Sequence, residues 1–198
     1  HIAVAGSLLG VALHAGISFP VGKVQTMRLF PMDFEEFLMA MGEEQLLKLM
    51  HSHDYELMNA FHEKLKDLLR QYYYVGGMPE VVKAFVENKL LNQVRSLQNE
   101  ILSNYASDFS KHAPSQEVPR IDMVWQSILG QLSKENKKFV YGVLKKGGRA
   151  KEFELAIQWL VDAGLVYKIT KVSKPELPLK FYEDLSAFKL YLCDCGLM

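Results

Sequence analysis

The sequence predicts a mainly α-helical chain with small β parts, on three observations. Apolar residues between Phe34 and Phe109 recur at spacings of three and four, the period of a helix with one buried face. Beyond Ile121, three further helical stripes give way to two short runs of strand character, Leu165–Val172 and Phe188–Cys193, which read as a hairpin. Near the start, Ile2–Ala5 and Val24–Phe30 also have strand character. Three helices followed by a hairpin describe a winged-helix module, a helix-turn-helix variant with a β wing.

Composition sets the class. The 198 residues balance 23 basic against 23 acidic side chains, and 49% are apolar, which fits a folded chain and excludes a disordered one. The balance is uneven along the chain. Residues 114–198 hold 13 basic and 10 acidic side chains, so an anionic partner is expected there rather than in the first part. Two cysteines, Cys193 and Cys195, are too few for a tetrahedral metal site and read as inert strand residues. With no secretory signal either, they suit a reducing cytoplasm. No apolar run approaches the roughly 20 residues that span a bilayer, so no membrane partner is expected. The chain starts on His1, inside a strand-like run, and is expected to be a piece of a longer protein.

In order, Ile2–Ala5 reads as a strand buried on both faces, closed by Gly6-Ser7, with Ser7 capping a short helix. Gly16–Lys23 mimics a phosphate-binding loop, but five residues separate its glycines and Val24 stands where a hydroxyl would hold magnesium, so it reads as a turn. The stretch Arg28–Leu38 switches from strand to helix period. Pro31 ends the strand near Phe30, Asp33 caps a helix beginning at Phe34, and Glu36 completes a capping box. Gly42 ends that helix. A helical turn at Leu46–Met50 is followed by a stripe from Met58 to Tyr72, closed by Gly76-Gly77, and Pro79 opens another helix. Leu90 to Phe109 continues the helical pattern. His51, His53 and His62 read as polar loop residues rather than metal ligands.

Ala113–Pro119, polar and bracketed by prolines, marks a domain boundary. Helices follow over Ile121–Leu132, Phe139–Lys145 and Ala150–Ala163. Between Lys134 and Lys151 lie seven basic residues and one acid, Glu135. In the helix-turn-helix reading, the Gly147-Gly148 turn and the start of the third helix present Lys145, Lys146, Arg149 and Lys151 to a nucleic-acid backbone. Lysine-rich helices are also ordinary solvated faces, winged helices also contact proteins, and Glu152 and Glu154 would repel a DNA groove, so DNA and protein partners both stay open.

Several stretches in order carry a resemblance. Ala5-Gly-Ser-Leu-Leu-Gly, Ile17-Ser-Phe-Pro-Val-Gly-Lys, Arg28–Leu38 and Gly76-Gly-Met-Pro-Glu-Val-Val resemble a family of prokaryotic AAA-type P-loop ATPases. Lys137-Lys-Phe-Val-Tyr, Leu160–Tyr167 and Phe188–Met198 look like that family's C-terminal domain of unknown function, a winged-helix region. The resemblance implies a remnant of the nucleotide-binding α/β core over 1–30, a helical lid over 31–113 and a winged-helix domain over 114–198. It places Gly6 and Ser7 at a γ-phosphate-sensing strand end. Walker A, Walker B and the nuclease-like acids of the family's tail have no counterpart here. ATP and magnesium therefore belong to the parent protein, no catalytic residue is assigned, and the chain alone is expected to bind neither tightly. The alternative function is a non-enzymatic winged-helix DNA-binding regulator or a protein-interaction module.

Overall fold

The computed structural model describes Gly6, Gln25 and residues 27–198. The expected strand Ile2–Ala5, the Ser7 cap and the Gly16–Lys23 turn lie outside these residues. Gln25 and residues 27–30 are exposed and carry no regular secondary structure, which corrects the expected strand Val24–Phe30 at those positions. The two strands among the described residues pair with each other, so an extended run at 27–30 has no ladder partner among them.

The described chain is mainly helical with one two-stranded sheet. The described residues 28–198 divide into two compact units, residues 28–104 with 194–198, and residues 105–193. The division falls inside a helix, between residues 104 and 105.

The first unit opens with α1 (Phe34–Ala40), where Asp33 accepts from the Glu36 N–H and the Glu36 carboxylate accepts from the Asp33 N–H, both at 2.9 Å. That reciprocal pair satisfies donors that a helix start leaves free. After α2 (Glu44–Ser52), the stripe expected as one run is two helices, α3 (Tyr55–Ala60) and α4 (His62–Val75). The break is at Phe61, whose backbone leaves helical geometry at φ −101°, ψ 8°. Apolar spacing survives such a one-residue change, so periodicity does not register it. Pro79 opens α5 (Pro79–Asn88), and α6 runs over Leu91–His112.

Two patches of core hold this unit. Phe37, Val75, Val81, Val82, Phe85 and Val94 form one, and Leu38, Leu46, Leu49 and Leu68 the other. Adjacent residues Phe37 and Leu38, both fully buried, supply one patch each. Burying such a side chain stabilises by roughly 1.5–3 kcal/mol.

The second unit contains the end of α6, then α7 (Val118–Leu132), α8 (Tyr141–Leu144), α9 (Ala150–Asp162) and a hairpin of β1 (Val166–Val172) and β2 (Glu183–Leu192). Ile121, Val124, Trp125 and Ile128 face inward at helical spacing, and Phe109 packs edge-on against Trp125 and Trp159 at 5.5 and 5.6 Å. Register runs from Val166 opposite Leu192 to Thr170 opposite Phe188, then shifts so that Lys171 faces Asp184. β2 thus starts five residues before the expected Phe188. Asp184 is a poor strand former, and its carboxylate, accepting from the Ser186 N–H and hydroxyl, holds an irregular segment no alternation pattern marks. Among the described residues, then, three helices and a hairpin follow in the expected order.

Candidate functional site

In the first unit, three segments far apart in sequence lock together around Gly76-Gly77. The Met32 N–H donates to the Gly77 carbonyl at 2.7 Å, and the Tyr72 hydroxyl donates to the Met32 carbonyl at 2.9 Å. From the chain's last residues, Asp194 spans the gap. One carboxylate oxygen accepts from the Gly77 N–H at 2.6 Å and the other from the Gly196 N–H at 2.9 Å. The fit leaves no room for side chains. A Cβ on Gly77 would collide with the Met32 backbone, and one on Gly76 with the Asp194 carboxylate. Asp194 is 4% exposed.

Burial raises the Asp194 pKa, against a downward pull from the N–H groups of Gly77, Gly196 and Leu197. Burial and the nearby Asp194 charge push up the Cys195 thiol, whose Sγ donates to the Tyr72 carbonyl at 3.6 Å. A thiol held protonated is a poor nucleophile, and the hydrogen bonds of this arrangement join three segments. Cys193 lies past the end of β2 and Cys195 begins a 3₁₀ turn, Cys195–Leu197, capped by Asp194. This corrects the reading of both as strand residues: Asp194 draws the chain out of the sheet into its own turn.

The basic cluster surrounds a tight turn in the second unit. The Gly148 N–H donates to the Lys145 carbonyl at 2.8 Å, and Gly147 sits at φ +77°. Lys145, Lys146, Arg149 and Lys151 are all exposed around it. Arg149 occupies the N-cap of α9 without a side-chain cap bond, and Lys145 lies 3.7 Å from Glu152. Beyond them, the exposed face of α9 carries Glu152, Glu154, Leu155 and Gln158. Of the other expected site residues, Gly6 is exposed with no neighbour within 4 Å of an added Cβ, and Ser7 lies outside the described residues. His51 Nε2 lies 3.1 Å from Glu35 Oε1, and His53 ends α2 in the left-handed conformation. Among the described residues no three His, Cys, Asp or Glu side chains gather as a metal site.

Residues 66–198, two thirds of the chain, match a sequence family described as a domain of unknown function, DUF8612. The chain belongs to that family. No curated protein and no solved structure matches it. The DUF8612 region holds both glycines of the lock, Asp194 and the whole basic turn, and Met32 lies outside it. Asp194 had no sequence signal of its own, because a lone aspartate between two cysteines reveals nothing about a partner 117 residues away. The adjacent glycines Gly76-Gly77 were the visible half of the pair.

Proposed function

We propose that this chain is the lid and winged-helix portion of an AAA-type ATP-binding protein, coupling nucleotide state to a target held by the second unit. One observation carries the reading. Arg28–Leu38, Gly76–Val82 and the Asp194–Met198 tail, three of the ordered stretches that resemble the ATPase family, meet at the Met32–Gly77–Asp194 lock. A movement imposed upstream of Met32 would reach α1, α4 and the tail through these bonds. The chain contains no Gly-x-x-x-x-Gly-Lys-[Ser/Thr] loop, so nucleotide and magnesium are assigned to the longer protein and no hydrolytic step is derived from these residues. The test is on the gene. The reading frame upstream of His1 is expected to encode that loop, and its full product to bind ATP with magnesium in calorimetric titration. A frame without the loop, or a full product that ignores ATP, ends the proposal.

A second reading is favoured by the turn at Lys145–Gly148, that the second unit contacts nucleic-acid phosphates. The carboxylates of Glu152 and Glu154 on the exposed face of α9 disfavour base reading in a groove, so contact is assigned to the turn and is insensitive to base sequence. The variant Lys145→Glu/Lys146→Glu/Arg149→Glu is expected to weaken DNA binding at least tenfold and to lower the slope of log affinity against log salt by about two to three. Affinity unchanged by the triple substitution eliminates the reading, and a protein captured without DNA affinity points to the interaction module instead.

A further inference from the structure

Beside the basic turn lies a cleft of about 380 Å³ lined by Glu117, Arg120, Arg149, Lys151, Glu152 and Leu155. It brings Arg120, from the first turn of α7, to the residues that open α9. Each of its two carboxylates has a cationic neighbour. Glu117 Oε1 accepts from Arg120 Nη1 at 2.7 Å while its Oε2 is buried without a hydrogen-bond partner among the described residues, and Glu152 Oε2 lies 3.7 Å from Lys145 Nζ. Arg149 and Lys151 have no carboxylate partner among the described residues, so the cleft mouth carries two unneutralised positive charges. Arg120 is also held by the Gln116 carbonyl at 3.2 Å, again through Nη1, which leaves its Nη2 and Nε donors for a guest. A guanidinium fixed at one corner is pre-oriented for a fork-like grip on a tetrahedral oxyanion.

We propose that this cleft takes a single phosphate monoester, gripped by Arg120, Arg149 and Lys151. The charge decides between esters. A monoester carries about −1.5 to −2 at neutral pH and matches the two free cations, whereas an internal phosphodiester carries one negative charge and would bring its neighbours past Glu152 and Glu154. The inference extends the nucleic-acid reading of the same basic turn by naming a chain end rather than a backbone as what the cleft prefers.

Binding of the full chain is measured against a short oligonucleotide with a 5′-phosphate, the same oligonucleotide with a 5′-hydroxyl, and phenyl phosphate. The 5′-phosphorylated strand is expected to bind at least tenfold tighter than the hydroxyl strand. Lys151→Gln and Arg120→Gln are each expected to erase that preference, and lowering pH from 7.5 to 5.5 to weaken it as the monoester takes up a proton. Lys151 is exposed, so its substitution keeps the fold even if removal of Arg120 disturbs Glu117. Equal affinity for the two strands overturns the monoester proposal and leaves the backbone reading standing. A preference that persists in both variants overturns it too. Binding of phenyl phosphate with neither oligonucleotide bound supports the cleft and removes the nucleic-acid reading, and binding of none of the three probes removes both.

Discussion

Gly77→Ala is expected to destabilise residues 28–104 and 194–198 by more than about 3 kcal/mol. Two costs combine. The new methyl would collide with the Met32 backbone, which cannot swing aside as a side chain can, and overpacking of this kind typically costs 1–3 kcal/mol. Any backbone shift that relieves the collision pulls the Gly77 N–H from Asp194 and the Gly77 carbonyl from Met32, leaving buried groups without partners at about 1–3 kcal/mol each. Gly42→Ala, in the same unit, is the control. Gly42 sits at φ +77° with nothing within 4 Å of an added Cβ, so its substitution meets backbone strain alone, about 1–2 kcal/mol. Urea unfolding followed by circular dichroism compares the two, and amide exchange at Val81 and Val82 locates the effect. Equal losses at both positions would show that the close approach at Gly77 is not what holds the segments.

What could be read in the sequence was local. The Asp33–Glu36 capping box needs only a spacing of three, Pro79 needs only its own ring, and the hairpin follows from two strand-like runs in succession. The lock was out of reach because its partners are joined by chain topology, and neither Met32 nor Asp194 differs in its neighbours from an ordinary loop residue. The basic turn lies between these cases. Its lysines and glycines are contiguous and so were visible, but whether a lysine is free depends on a carboxylate across the turn, in the next helix. Among the described residues Lys145 is paired with Glu152, whereas Arg149 and Lys151 have no carboxylate partner, and Arg120 reaches the same cleft from another helix. Counting charge along the chain ranks all of these alike. The α3–α4 break and the early start of β2 were lost for a further reason: each depends on the backbone angles of one or two residues inside a pattern that continues past them.

Asp194 gives the second large effect, and its pH dependence separates two contributions. Asp194→Ala removes the acceptor for the Gly77 and Gly196 N–H groups in a buried setting and is expected to cost about 2–4 kcal/mol at pH 7. Asp194→Asn keeps the shape but turns an N–H₂ toward one of the two donors, so it loses part of that amount. The charge itself works in the other direction. Burial raises the folded-state pKa of Asp194 above its ordinary 3.8, so the folded chain binds the proton more tightly than the unfolded chain. The stability linked to that proton is fully present below pH 3.8 and is lost as pH rises through the raised folded value. Wild-type stability is therefore expected to contain a component that falls across this window, absent from Asp194→Asn, so the gap between the two narrows as pH increases. Urea unfolding of both chains from pH 3.5 to 7 measures it. A gap that widens with pH would mean that the N–H groups of Gly77, Gly196 and Leu197 stabilise the carboxylate more than burial penalises it, and the lock would then be held by charge rather than despite it.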